Sequence, residues 1–435
     1  MKIAVIGSGI SGLTSAYLLS REHEVVVYES ADRLGGHTAT MNVEYAGDAY
    51  AVDTGFIVFN DWTYPLFQKL LAQLDVDSQP TDMGFSVSCD ETGLEYSGNN
   101  VDTLFAQRRN IFSLRHWRMI KDILRFNKQA PLDVEKGGEF DTMTLGEYLR
   151  QHRYSDVFTD KYLVPMGAAI WSASTSAMKS FPLQFFVRFF VNHGLLSVNN
   201  RPQWHVIKGG SKSYIEPLIS SFKHNIRLSS TITSITRNDA KKGHVVIHTE
   251  RYGEEVYDQV VIATHSDQAL ALLSDASGSE KRVLGDITYR ENDVVLHTDE
   301  SLLPSNKKTW SSWNYRITND VKDGAQEGSQ EGTQGDNDNP PALTYNMNIL
   351  QGLTAPCTFC VTLNKTDSID PEKILGRYRY DHPVFSMKAI AAQQRWQDIN
   401  GVNNTWFCGA YWANGFHEDG VKSAVRIAEK FGIAL

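Results

Sequence analysis

The feature that most constrains this chain is the glycine pattern at residues 7–12. Ile3-Ala4-Val5-Ile6 is a short apolar run of strand type, Gly7-Ser8-Gly9-Ile10-Ser11-Gly12 follows at once, and Leu13 to Leu19 reads as helix. Strand, glycine turn and helix in that order allow few arrangements. Gly7 permits the tight turn, Gly9 lets backbone approach a pyrophosphate, and Gly12 lets helix and strand lie close together. The helix start then offers N–H groups and a positive dipole end to an anion. Glu29 ends the next predicted strand, His23 to Tyr28. There an acid can accept a hydrogen bond from a ribose 2′-hydroxyl. A chance glycine turn would lack this flanking pattern. A nicotinamide and a flavin nucleotide fit these features equally well.

The rest of the chain sets broad limits. At 435 residues it exceeds a single simple core, so two domains are expected. A net charge of −9 argues against general nucleic-acid binding, which needs a basic surface. Four cysteines make no disulfide framework, which points to a reducing cytoplasm. The first residues show no targeting segment, and no stretch reaches the roughly 20 apolar residues of a spanning helix. Asp320 to Pro341 is acidic, without aromatics, and carries a Gln-Glu-Gly repeat; it is expected to be a solvated, flexible loop insertion rather than an interaction tail. Helical spacing dominates from Asp61 to about Arg201. Strand patterns occur from Gln203 to about Leu273 and at Asp293–His297, Ala342–Asn348 and Thr358–Leu363.

Further motifs separate the two nucleotides. Arg33-Leu34-Gly35-Gly36-His37-Thr38 follows Glu29, and Asp53-Thr54-Gly55-Phe56 comes shortly after. GxGxxG, an acid, then RxGGxT resembles the flavoprotein superfamily of amine oxidases, phytoene desaturases and protoporphyrinogen oxidase. Lys208-Gly209-Gly210-Ser211, Tyr257 to Thr264, Phe407-Cys408-Gly409-Ala410 and Gly415 to Gly420 are similar to later segments of that superfamily. The resemblance implies FAD as cofactor. It also implies an α/β fold, with a Rossmann-like FAD-binding domain (1–60, 203–280, 395–435) and an α+β substrate domain (61–202, 281–394). By it, Ser11, Glu29, Arg33, Gly36 and His37 would hold the ADP half, and Ile232 would hold adenine by its backbone. Gly409, Asp419 and Val421 would lie near the ribityl chain and pyrimidine edge, and Phe416 would line the cavity over the ring. Gly7, Gly9, Gly12, Ser30, Gly35, Thr38, Gly55, Phe56, Ala263, Thr264, Ala410 and Glu418 complete the expected cofactor contacts. Two positions depart from the pattern. His37 stands where many members have arginine, and Ala410 where many have an acid, for which Glu418 or Asp419 would compensate.

Residues 35–40, 53–65, 84–90, 168–172, 192–196, 201–211 and 415–420 carry a narrower resemblance. They are similar to a bacterial group of FAD-binding proteins and to the flavoprotein half of plant cyclopropane fatty acid synthases. This implies an unsaturated or methyl-branched fatty-acyl substrate, and a phospholipid one if the phenylalanine band at residues 181–190 and the basic helix at residues 108–128 both serve it. It also implies an acyl methyltransferase partner, by association rather than by any residue.

A flavin accepts hydride at N5, leaving the protein to position substrate, exclude water and handle a proton. Amine oxidases of the superfamily usually keep a lysine near N5. The corresponding strand, Asp293 to His297, has none, which favours oxidation of an apolar substrate by desaturation or isomerisation. An amine oxidase and a non-catalytic flavoprotein docked on the methyltransferase are the alternatives. Candidate acid–base groups are His297, His417, Tyr315 and Tyr345, with Glu418 beside them. Phe181, Phe185, Phe186, Phe189 and Phe190 read either as a wall for a lipid chain or as an ordinary buried helix. Arg108 to Lys128 holds seven basic residues and reads as a peripheral membrane-contact helix at the inner face, or as a domain helix with a solvated basic face. The second is the preferred reading. Cys357 and Cys360 lack partners for zinc, and no metal site is expected.

Overall fold

A computed structural model of the chain describes residues 1–197, 199–237, 244–318 and 342–435. The acidic 320–341 segment lies outside the described residues. The chain forms two compact units. One comprises Met1–Pro80, Pro202–Arg290 and Asp381–Leu435, the other Thr81–Arg201 and Glu291–Tyr380.

The first unit is built on a five-stranded parallel sheet. Its strands are β1 (Lys2–Ile6), β2 (Glu24–Tyr28), β3 (Ile226–Arg227), β4 (Gln259–Ile262) and β5 (Thr405–Phe407), in the order β3-β2-β1-β4-β5. Side chains alternate across a strand, so each apolar run feeds two cores. Ile3, Val5, Val25 and Val27 join one cluster, while Ala4, Ile6, Val26 and Tyr28 join the other. Helix α1 (Ile10–Leu19) connects β1 to β2, and nine of its ten residues are buried. Ser11, Gly12, Ser15 and Ala16 are small enough to permit that depth. Helix α2 (Pro65–Gln73) and helix α3 (His417–Ala428) cover the same side, with Phe67, Leu70, Val421 and Ala424 in the α1 cluster.

The boundaries differ from those expected from sequence. Residues 61–80, 281–290 and 381–394 belong to the first unit. Helical periodicity identifies an apolar face without saying which core it joins, and Phe67, Leu70 and Leu71 of α2 join the first.

The second unit contains a seven-stranded mixed sheet. Its strands run in the order Ile374–Pro383, Tyr289–His297, Cys360–Leu363, Ala342–Asn346, Trp313–Ile317, Phe85–Cys89 and Leu94–Ser97. Its longest helix is Leu114–Lys136, started by Ser113, whose hydroxyl accepts from the His116 N–H. The phenylalanine-rich stretch forms helix Leu183–Asn192. Trp171 lies 4.7 Å from both Phe181 and Phe189, and Phe186 stacks on Phe190 at 4.0 Å, so these rings pack on one another as a core helix does. No helix among the described residues is long and apolar enough to cross a membrane.

Candidate functional site

The carboxyl ends of β1, β2 and β4 lie level, Ile6 pairing with Tyr28 on one side and Ile262 on the other. The glycine turn sits on this edge. Gly7 has φ +96°, and a Cβ there would come 2.8 Å from the Ala263 carbonyl oxygen. A Cβ on Gly12 would come 2.0 Å from the Gly7 carbonyl oxygen, so the helix could not lie where it does with any side chain. Gly9 is different: a Cβ there would meet nothing within 4 Å. Gly9 is also the first residue of α1's cap, and no side chain caps that helix end. An open hollow therefore adjoins the positive end of a buried helix. The second glycine turn comes against the first, with Gly35 bridged to Gly9 and a Cβ on Gly36 (φ +55°) placed 3.2 Å from the Gly9 Cα.

Glu29 closes one side of this turn. Its carboxylate accepts from the Ser8 N–H at 2.9 Å, the Ser8 hydroxyl at 2.6 Å and the Ala31 N–H at 2.9 Å. Two oxygens with four lone-pair positions still leave capacity for another donor. Exposed Ser30 takes that fourth position with a long 3.3 Å contact, which a ribose hydroxyl would displace. Arg33 folds back to donate to the Gly36 carbonyl at 3.0 Å. Ser229 and Ser230 donate to the Ala31 and Glu29 carbonyls at 2.8 and 2.9 Å, which brings the chain leading to Ile232 beside the end of β2. A hollow lined by backbone N–H groups, with a carboxylate at the end of the adjoining strand, suits a diphosphate and a ribose.

The start of α3 meets the start of α1. A Cβ on Gly420 would come 2.7 Å from Ile10 Cγ2 and 2.8 Å from Ser11 Oγ. The residues before it hold the unit together. Glu418 accepts from the Leu66 and Phe67 N–H groups at 3.1 and 2.9 Å and so caps α2. Asp419 accepts from the Asn414 and Phe416 N–H groups at 3.2 and 3.0 Å, and burial pushes its carboxyl up to about 7. Both acids brace backbone of their own unit. His417 stacks on Phe56 at 3.5 Å, and its Nε2 lies 3.2 Å from Thr38 Oγ1 and 3.0 Å from the Tyr214 hydroxyl. Burial holds the imidazole well below its usual range, so it is neutral. Its contacts with Phe56, Thr38 and Tyr214 brace the turn. Val421 is buried, Gly409 donates to Ser423 Oγ at 3.0 Å, and Ala410 is half-buried. Thr264 is half-buried beside Gly7, and a Cβ on Gly55 would come 2.1 Å from the His37 carbonyl oxygen.

His37 lies 5.6 Å from His382 and 6.2 Å from His265. Burial, helped by those two rings and Arg33, pushes it down to about 3. The position that holds arginine in many relatives by resemblance is uncharged here.

In the second unit, His297 Nε2 lies 2.7 Å from Thr362 Oγ1 and its Nδ1 accepts from the Asp299 N–H at 3.0 Å. Both nitrogens are engaged, and burial pushes the ring down to about 4, which corrects its expected role in proton transfer. Tyr315 and Tyr345 share one face of the sheet, because Trp313 pairs with Tyr345. His297 lies on the other face, because Leu296 pairs with Val361 and Val361 with Tyr345. Burial raises both phenols. These three residues do not form one cluster.

Sequence reasoning passed over three participants. Ser8, an unspecified position of the motif, binds Glu29. Tyr214 binds Thr38 and His417. Asp53 accepts from Ser211 N–H and Oγ, both at 2.9 Å, and from Thr40 Oγ1 at 2.5 Å, fixing the Lys208–Ser211 glycine turn. Burial pushes Asp53 up to about 6. Only Asp53 had a signal, its place in the Asp53–Phe56 motif. Among the described residues no group of three or more His, Cys, Asp or Glu could hold a metal ion.

Comparison with known proteins bears on this geometry. Residues 10–316 match the family model described as flavin containing amine oxidoreductase. A Mycobacterium tuberculosis protein named as a flavin-containing monoamine oxidase, AofH, is 25% identical over 242 residues, 55% of this chain and 52% of that protein. Prenylcysteine oxidase 1 of Homo sapiens is 27% identical over 308 residues, 60% of this chain and 55% of that protein. The chain thus spans about half the length of the curated relatives it matches. Among solved structures, a CLA-producing fatty acid isomerase from P. acnes superimposes with TM-score 0.66 at 16% identity, covering 99% of this chain and 98% of that one. That likeness establishes an amine oxidase-like two-domain α/β fold.

Proposed function

This chain belongs to the flavin-containing amine oxidoreductase family, and from that premise we propose an FAD-dependent oxidoreductase that oxidises an apolar, fatty-acyl substrate. The substrate is unsaturated or methyl-branched and carried on a phospholipid. The observation that carries the cofactor half is the open hollow at Gly9, beside the uncapped start of α1 and the Glu29 carboxylate. Backbone at Gly9, Ser11 and Gly12 would hold the diphosphate, and Glu29 a ribose hydroxyl. Gly36 and Arg33 would close the second turn over it, and the Ile232 backbone would take the adenine. Bound FAD supplies a two-electron hydride acceptor at N5. The chain's own residues position that group: Gly420 lets α3 reach α1, and neutral His37 and His417 pack without adding charge.

The acyl half rests on different support. Strand Tyr289–His297 carries no lysine, and its one histidine is engaged by Thr362 and Asp299. A fatty acid isomerase of the same fold gives a precedent for an acyl chain in such a scaffold. The amine oxidase reading is favoured instead by the name of the mycobacterial relative. Anaerobic mixing separates the two. Unsaturated phospholipids are expected to bleach the flavin's visible absorbance and amines are not; bleaching by amines alone reverses the assignment. Docking on an acyl methyltransferase is a third role, tested by pull-down from cells with the FAD site intact and ablated. Binding that survives loss of FAD supports a scaffold.

A further inference from the structure

Helix Leu114–Lys136 and the turn before it place apolar and basic side chains on one solvent-facing surface. The helix buries His116, Met119, Asp122, Phe126, Ala130, Asp133 and Val134. Leu114, Trp117, Leu124 and Leu132 are exposed instead. At 100° per residue these four share an arc of about 120° with Arg118, Lys121, Arg125 and Lys128. The arc is widest in apolar character at its start, where Phe112 and Leu114 are each 88% exposed and Ile111 is exposed beside them. Trp117 is held at the base of this tip, its Nε1 donating to the Ile111 carbonyl at 2.8 Å and its ring 5.2 Å from Phe105. Residues 108–128 hold seven basic groups and one acid, Asp122, in a chain of net charge −9. Asp122 is buried, accepts from the Ser155 N–H and hydroxyl, and offsets part of the surface charge by pairing with Arg118 at 3.8 Å and Arg125 at 3.4 Å. Arg108 pairs with Asp102, and Arg125 sits over the Tyr154 ring. Among the described residues Arg115, Lys121 and Lys128 have no ion-pair partner.

We propose that this face docks on an anionic phospholipid bilayer, with Ile111, Phe112, Leu114 and Trp117 entering the acyl boundary and Arg118, Lys121 and Lys128 meeting headgroup phosphates. A solvated basic helix has no use for apolar tips beside its cations, whereas an interface-lying helix needs both. A second copy of the chain is a poor occupant, since pairing this face with itself sets like charges against each other. Each cation near an anionic leaflet strengthens attachment about five-fold. The inference concerns where the protein resides and is independent of the substrate reading.

The test is co-sedimentation of the holoprotein with vesicles of phosphatidylcholine alone or mixed with phosphatidylserine, at low and high salt. Binding is expected to the mixed vesicles only, and to fall as salt rises. The double variants Phe112→Ser/Leu114→Ser and Lys121→Glu/Lys128→Glu should each weaken it at least about ten-fold, with flavin spectrum and melting temperature unchanged. Wild-type protein that stays in the supernatant with mixed vesicles overturns the proposal, as does binding by both variants that equals that of the wild type. If the Phe112/Leu114 variant instead changes only the sedimentation velocity of the free protein, the face is a protein interface and the proposal fails.

Discussion

One carboxylate, Glu29, takes three N–H or O–H groups from Ser8 and Ala31, and so ties the first glycine turn to the loop after β2. A hydrogen bond to a charged group contributes about 1.5–3 kcal/mol. Glu29→Ala is therefore expected to weaken FAD retention by about ten-fold or more, read by flavin titration of the apoprotein, and Glu29→Gln by less. Two buried groups should shape stability with opposite signs. His297, pushed down to about 4, contributes fully above its usual pKa and loses that contribution as pH falls through about 4. His297→Gln should thus cost most at neutral pH, and the gap in melting temperature should narrow towards pH 4. Asp419, raised to about 7, keeps a proton that the unfolded chain releases. Its effect is a loss of stability as pH rises from the carboxyl range to about 7, a slope that Asp419→Asn should flatten. The glycines and Glu29 were legible in the sequence because backbone geometry at a turn is a local demand. The contacts of His417 and Glu418 were not, because Thr38, Tyr214 and the α2 N–H groups are distant along the chain and carry no mark of the contact.

Among the elements, α1 and α3 depend on a missing side chain. Gly420→Ala would press a methyl group into Ile10 and Ser11, and overpacking of this kind costs about 1–3 kcal/mol. A lowered melting temperature together with weaker FAD binding is expected; either one unchanged would show that the helices can part freely. The Leu114–Lys136 helix was also legible, but its orientation was not. Leu114, Trp117 and Leu124 recur at helical spacing, and such spacing says which residues share a side, not which side is covered. The covered side holds His116 and Asp122 as well as Met119 and Phe126, with Ser155 satisfying the acid. Hydrophobicity alone would have selected the opposite face.

Across the whole molecule, the first unit gathers three separated segments and the second gathers two. If FAD lies wholly against the first unit's turns, ligand at 100 times its dissociation constant adds about 2.7 kcal/mol to that unit. Calorimetry should show FAD moving one transition upward, and a shift of every transition equally would mean that the units melt as one. The two-unit plan was expected from length and from the return of strand patterns after residue 203, whereas the allocation of 61–80 depended on which core α2 found. The cap on α2 has a further consequence. Leu66 and Phe67 wait for a carboxylate that is encoded about 350 codons later. A ribosome therefore releases the beginning of this layer long before the piece that finishes it. Nascent chains stalled ahead of residue 418 should stay open to protease and unable to retain flavin. Loading of the cofactor then waits until the segment that carries Glu418 has left the exit tunnel.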